Sequence, residues 1–320
     1  MRRSKTLLGL VLILFVLIGG LRAEGLKVGI RDGYLKNMHY KDVWHAAHAI
    51  GVSRLEVEVT PELLCPNLYE SDGSEYKIDS ATSINRLKDA FSKHELTINA
   101  FTTVIPMTGD KTPEKIRQWV ATVARVAREL KVSVIMMPLI ARGIEDDEFI
   151  KRAKEYVGPL QKVAGETGVQ LTIENLGHYL NRQEILDPIL KSFDPKRVGL
   201  TLDICNMYWF GHPRSKIYEL AEHFAPFVRY VHVKNIKYPD DQKEIQRPEG
   251  WEYLKYAEPV KSGDLDFKKI VGFYYRAGFR GDLTLEDDSL GKFVMPELQE
   301  VHEQDVQYLH QIIAELSEGK

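Results

Sequence analysis

The sequence predicts an α/β fold: a single-domain (β/α)8 TIM barrel with a long loop insertion after strand seven. Three observations carry this. Eight apolar, β-branched runs alternate with eight segments of helical character, and parallel strands joined by right-handed crossovers close naturally into a barrel. Four of the later runs, LTIENLG (171–177), LTLDICN (200–206), YVHVKN (230–235) and DLTLEDD (282–288), each stop at a side chain that can bind a metal: Glu174, Asp203, His232 and Glu286. Their spacing is that of a strand–helix unit, 29 residues from Glu174 to Asp203, 29 again to His232, then 54 to Glu286, with the excess falling in 236–262. The 320-residue chain has room for the about 250 residues that such a barrel uses as one domain. An open doubly wound sheet is the main competitor. It would want G-x-G-x-x-G after its first strand, and GIRDGYL does not match.

Strand one is LKVGIR (26–31), ending at Arg31, and the next segment places Val43, Ala46, Ala47 and Ile50 on one helical face with Gly51 as terminator. Strand two, RLEVEVT (54–60), alternates and carries Glu56 and Glu58. A loop rich in turn-forming residues (61–80) has no strong pattern. Helix two (81–94) leads to strand three, LTINAFT (96–102). Helix three opens on Thr112-Pro113-Glu114, an N-cap, a proline at the first helical position and an acid in the first turn. Ile116, Trp119, Val120, Val123, Val126, Ala127 and Leu130 then recur at helical spacing. Strand four is VSVIMMP (132–138), and helix four begins at EDDEF, breaks at Gly158-Pro159 and resumes to Gly168. A short helix at 183–193 separates strands five and six. Helix six covers 215–226, strand seven 229–234, helix seven 266–278 and strand eight 281–286, with a last helix after Pro296. The stretch 236–262, with Tyr238, Trp251, Tyr253 and Tyr256, exceeds an ordinary loop, and such loops are usually lids or binding surfaces.

The first 23 residues form a separate segment. Arg2, Arg3 and Lys5 precede an uncharged run from Leu7 to Leu21, the pattern of a secretory signal, with cleavage expected after Ala23 or an uncleaved anchor as the alternative. The barrel domain is then 24–320, exported, with the bacterial periplasm as its expected location. Removing the segment takes four cations and moves the net charge from -3 to -7, which argues against nucleic acid as a partner. Nothing beyond the N-terminal segment suggests a membrane. Cys65 and Cys205 fall on opposite sides of the expected barrel, out of reach of a disulfide.

In a barrel the carboxyl ends of the strands share one mouth, so Glu174, Asp203, His232 and Glu286 should converge. Three carboxylates held together repel unless a cation neutralises them. Three oxygen donors and one nitrogen, without thiolate, suit one divalent metal, Mn2+ first, with Mg2+, Co2+ or Zn2+ as alternatives.

Over 26–315 the chain resembles the xylose-isomerase-like sugar isomerases and epimerases, a family that also includes ketose 3-epimerases and endonuclease IV-type repair enzymes. The resemblance lies in E-N at 174–175, V-G-L-x-L-D-x-x-N at 198–206, H-V-K at 232–234, G-D-x-D-F at 263–267 and Glu286 in L-T-L-E. It departs at Asn235, where the family often has Asp, and at Asn206, where it often has His. The resemblance implies that Glu174, Asp203, His232 and Glu286 hold the metal, and that Glu174 and Glu286 move a proton beside a carbonyl through an enediolate. Lys234 would steady the enediolate oxygen. Arg31, Glu56, Asn175, His178, Asn206 and His212 are candidates for sugar hydroxyls, while Glu58, Asp287 and Asp288 are expected to be solvated and Trp209 to pack under a loop. The expected partner is a small-molecule sugar or sugar derivative, in a chain free to form a homo-oligomer. Two other functions compete: a metal-dependent lyase or hydratase on 3-keto-glycosides, and a non-catalytic carbohydrate-binding barrel.

Overall fold

A computed structural model of the protein describes residues 25–109 and 111–318; the expected signal segment, 1–23, lies outside them. Eight parallel strands form the barrel: β1 Lys27–Arg31, β2 Arg54–Glu58, β3 Thr97–Thr102, β4 Val134–Ile140, β5 Gln170–Glu174, β6 Val198–Asp203, β7 Val228–Val233 and β8 Asp282–Leu285. Pairing runs β3-β2-β1-β8-β7-β6-β5-β4, and β3 pairs with β4 to close the ring. The main helices outside it are α1 Val43–Ala49, α2 Ala81–Lys93, α3 Pro113–Glu129, α4 Asp146–Val157, α5 Leu160–Thr167, α6 Gln183–Leu190, α7 Arg214–Phe224, α8 Phe267–Arg276 and α9 Glu297–Glu318, with shorter helical turns at Gly177–Leu180, Ile204–Phe210 and Tyr253–Tyr256 above the strand ends. Among the described residues no helix is long and apolar enough to cross a membrane.

Local chemistry sets the helix ends. Thr112 caps α3 by accepting from the Lys115 amide at 3.3 Å, and Asp42, Ser80 and Asp266 cap α1, α2 and α8 in the same way. Gly158 and Pro159 split the expected fourth helix into α4 and α5, and Gly168 ends α5 at φ +75°, a conformation that costs glycine little. The apolar face of α3 (Ile116, Val120, Val123, Ala127) is buried against the barrel. Its Trp119 is only partly buried, and the indole N–H donates to the Thr60 carbonyl.

Alternation along each strand sorts the two faces. Outward residues such as Leu171, Ile173, Leu200, Leu202, Val231, Val233, Leu283 and Leu285 enter the main core under the helices. Inside the ring the chain is largely polar. Thr172 and Thr201 hydroxyls meet at 2.6 Å, Thr284 donates to the Tyr230 hydroxyl at 2.6 Å, and Asn99 donates to Thr284 at 3.2 Å. Gly29 leaves the space this column needs, since a Cβ there would lie 2.4 Å from the Asn99 amide nitrogen. Two residues beyond Thr172, Thr201, Tyr230 and Thr284 come Glu174, Asp203, His232 and Glu286, so the same inward phase carries all four to the carboxyl-end mouth.

Two loops have more structure than the sequence suggested. Within 61–80, Leu64–Cys65 pairs with Tyr76–Lys77 as an antiparallel ribbon. The insertion after β7 is closed at its base by Asn235–Ile236 pairing with Ala257–Glu258. Its interior is organised by the buried Arg247, whose guanidinium lies over the rings of Tyr208 and Tyr238 at 4.6 and 4.2 Å and donates to the carbonyls of Tyr208 and His212. Cys65 and Cys205 are buried free thiols.

Candidate active site

The four mouth residues meet. One donor atom from each of Glu174, Asp203, His232 and Glu286 can be chosen so that all lie within 4.8 Å of one another, and all four residues are buried. His232 Nδ1 faces Glu174 Oε1 and Glu286 Oε2, at 3.2 Å each. Lys234, two residues further along the same face and also buried, sets its ammonium 2.9 Å from Asp203, 3.2 Å from Glu286 and 3.4 Å from Asp288. Arg31 at the end of β1 donates to Glu286 at 2.5 Å.

Charge is unbalanced in this cluster. The acids Glu56, Glu58, Glu174, Asp203, Glu286 and Asp288 outnumber the cations Arg31, Lys234 and protonated His232. Burial pushes Asp203 up to about 6, with Lys234 opposing and the charges of Glu286 and Glu174 adding to the rise. Burial would also raise Glu286, but Lys234, His232 and Arg31 together hold it well below the usual carboxylate range. For His232, burial favours the neutral ring and is outweighed by Glu56 and Glu286, which raise it well above an ordinary histidine. Burial likewise opposes the charge on Lys234, and Asp203, Glu286 and Asp288 overcome it, raising the ammonium well above the usual lysine range. Asp203 Oδ2 is fully buried and makes no hydrogen bond of normal geometry despite the ammonium nearby. An excess of negative charge, an under-satisfied carboxylate oxygen and an O3N donor set fit a divalent cation.

The remaining candidates separate into those that face the mouth and those held behind it. Glu56, expected at a sugar hydroxyl, is fully buried. It accepts from the Thr102 hydroxyl at 2.5 Å and meets His232 Nε2 at 2.6 Å, so its oxygens orient the imidazole from behind. Asn175, also expected at sugar, has its amide consumed: Nδ2 donates to the Asp203 carbonyl at 2.7 Å and to Asn181, while Oδ1 accepts from the Asp203 amide at 2.8 Å. It locks the end of β6 beside β5. His212 is tied at 2.9 Å to the Asn181 carbonyl. Asn206 donates to the Asn175 carbonyl, yet it lines a cavity of about 180 Å³ with Leu176, Gly177, Trp209, Lys234, Tyr253 and Asp288. His178 is exposed, pairs with Glu249 at 2.7 Å, and lines a larger neighbouring cavity.

Two residues expected to be solvated are buried or paired, and Trp209, expected to pack under a loop, does so and also borders the cavities. Asp287 is buried and caps the turn after β8 through the Ser289 amide. Asp288 pairs with Lys234 and accepts from the Tyr34 and Tyr253 hydroxyls at 2.5 Å each. Trp209 walls both cavities. In the sequence Tyr253 stands out only among the aromatics of the 236–262 insertion, and the one signal for Tyr34, which was passed over, is its place in the segment after β1.

The xylose isomerase-like TIM barrel family model matches residues 44–312, most of the chain and all seven strands after the first. The chain belongs to this family. Curated protein sequences include none that matches it. Solved members of the fold superpose closely at low identity. A xylose isomerase-like TIM barrel protein from Mycobacterium smegmatis, in complex with magnesium, gives a TM-score of 0.61 at 14% identity, covering 86% of this chain and 88% of that one. IolI with a bound zinc atom gives 0.63 at 14%, covering 91% and 98%. The 3-keto-D-glucoside 4-epimerase YcjR from E. coli gives 0.60 at 13%, covering 89% and 99%.

Proposed function

We propose that the protein is a divalent-metal-dependent sugar isomerase or epimerase that moves a proton beside a carbonyl. One observation carries the reading: four consecutive barrel strands deliver Glu174, Asp203, His232 and Glu286 to within 4.8 Å of one another, beside a cavity that Lys234 also lines. Membership of the family supports it, as do magnesium and zinc in two structural relatives and a sugar epimerase as a third. The same four residues would hold the ion, with Mn2+ favoured by three oxygen donors. When bound, a divalent cation supplies Lewis acidity toward a carbonyl and its neighbouring hydroxyl.

The protein's own groups do the rest. Glu174 and Glu286 stand on strands β5 and β8, with β6 and β7 between them. One takes the proton from the carbon beside the carbonyl and the other returns one from the opposite face, which inverts that centre. The cations around Glu286 keep it ionised, as both ligation and proton acceptance require. Lys234 Nζ, held by three carboxylates, is placed to stabilise negative charge developing on the substrate oxygen.

The test is to incubate the Mn2+-loaded protein with free and 3-keto sugars in deuterated water and follow exchange by NMR. Exchange at one carbon that needs metal and disappears in Glu286→Gln is the expected result. Sugar binding that survives both chelation and that substitution would mean a non-catalytic binding barrel. Product mass separates epimerisation, which conserves it, from the lyase alternative, which releases a fragment. Export through residues 1–23 is part of the proposal, checked by the N-terminus of the mature protein.

A further inference from the structure

Two neighbouring compartments share Leu176, Gly177 and Trp209, the inner one reaching the acid cluster through Lys234 and Asp288, and they differ in size. The inner one, about 180 Å³, carries Asn206, Lys234, Tyr253 and Asp288. It is smaller than the roughly 300–1,000 Å³ of pockets for drug-sized ligands and suits a single sugar ring. The outer one, about 670 Å³, shares Leu176, Gly177 and Trp209 with it and continues along Leu139–Gly143 at the end of β4. A free monosaccharide would leave this larger space unused.

The outer walls do not suit a phosphate. Phosphate recognition calls for convergent N–H donors or several cations, and here the charged groups are the exposed Arg142 and the His178–Glu249 pair, whose carboxylate would repel an anion. Leu139, Ala141, Leu176 and Trp209 supply apolar surface instead. Trp209 stands at the junction of the two compartments and is held from the insertion. The Gly250 amide donates to its carbonyl at 2.9 Å, and a Cβ on Gly250 would lie 3.3 Å from the indole ring. Gly250 also sits at φ +68°, so glycine serves both the turn and the close approach. A fixed indole between the small pocket that holds Asn206, Lys234 and Asp288 and the larger chamber with mainly apolar walls is a platform for a second ring.

The geometry points to a two-part substrate: a sugar ring in the inner compartment, joined through a glycosidic oxygen to an uncharged ring-bearing group that crosses Trp209 into the outer chamber. The inference rests on the sugar-directed reading above and narrows its substrate class to glycosides, excluding sugar phosphates.

The test compares four probes on the full-length Mn2+-loaded protein by calorimetry and by solvent deuterium exchange: methyl 3-keto-β-D-glucoside, phenyl 3-keto-β-D-glucoside, 3-keto-cellobiose and glucose 6-phosphate. The phenyl compound, the disaccharide or both should bind about tenfold or more tightly than the methyl glycoside, the two arms telling an aryl group from a second sugar; glucose 6-phosphate should bind more weakly than any. Ala141→Trp, which obstructs the outer chamber, and Trp209→Ala, which removes the platform, should each bring the extended-to-methyl ratio down toward one. Equal binding of methyl and extended glycosides by the unaltered protein, or a preference for the phosphate, overturns the inference while metal-dependent exchange on the methyl glycoside leaves the functional reading standing. Absence of metal-dependent exchange and of binding for every probe overturns both.

Discussion

Replacing Glu56 by Gln should weaken divalent-metal binding although Glu56 is not one of the four donors. His232 is fully buried, with Nδ1 turned to Glu174 and Glu286 and Nε2 held 2.6 Å from Glu56 Oε2. A carboxylate on the far nitrogen fixes the tautomer and ring plane and makes the near nitrogen a better donor, an arrangement worth about 10–100-fold in metal affinity. That range is roughly 1.4–2.7 kcal/mol. Gln keeps the shape and one acceptor oxygen, so the loss should fall inside this range and leave some binding. It also takes a negative charge from beside Arg31, whose Nε lies 3.7 Å from Glu56. Chelator-competition calorimetry with Mn2+ on the folded variant reads the effect, with thermal denaturation as the control for folding. Affinity within about twofold of the parent in a protein of unchanged Tm would refute the argument that His232 needs this support.

Lys234→Met should act in the opposite sense on metal. The ammonium competes with a cation for Asp203 and Glu286, so its removal should hold or raise Mn2+ affinity while lowering kcat by roughly 10²–10³-fold, the cost typical of losing one donor to a developing oxyanion; titration and exchange kinetics on one preparation separate the two. His302 in α9 is buried with Nε2 unbonded, and burial lowers it to about 4. Because its folded value is depressed below the ordinary 6.5, the unfolded chain takes up a proton first as pH falls, and the histidine withdraws stability between those values. From about pH 7.5 to about pH 5 the loss is about 2 kcal/mol. In urea melts His302→Phe should lose that much less stability than the parent over this span; identical pH slopes for the two proteins would show that the ring is not held neutral.

How much of this was legible depends on what each residue interacts with. The four converging side chains could be read because they share one phase of the strand alternation with Thr172, Thr201, Tyr230 and Thr284, and because 29-residue steps repeat that phase at one end of the barrel. Strand identity and order followed from the same runs. Glu56 was placed on an inward phase, but its partner lies 176 residues away and is fixed only when the ring closes. Asn175 looked available because its neighbour Glu174 faces the mouth; that its amide is spent on the Asp203 backbone depends on the register of β5 against β6. Beyond Glu286 the strand ends, and alternation says nothing about a chain turning into a 3-10 helix at Asp288–Lys292. From the sequence alone Asp287 and Asp288 therefore read as solvent-facing acids. The insertion was visible as excess length, whereas its interior hangs on Arg247 between two tyrosines, a contact that has no periodic signature.

The proposed function requires that the tips of β5 to β8 share a single cation. Crystals of the full-length protein grown with Mn2+, measured at the manganese absorption edge, test it most directly. One strong anomalous peak per chain is expected at about 2.0–2.3 Å from oxygens of Glu174, Asp203 and Glu286 and from His232 Nδ1. A peak bound elsewhere, or Lys234 still bridging Asp203 and Glu286 at saturating metal with no peak between the four, would contradict it.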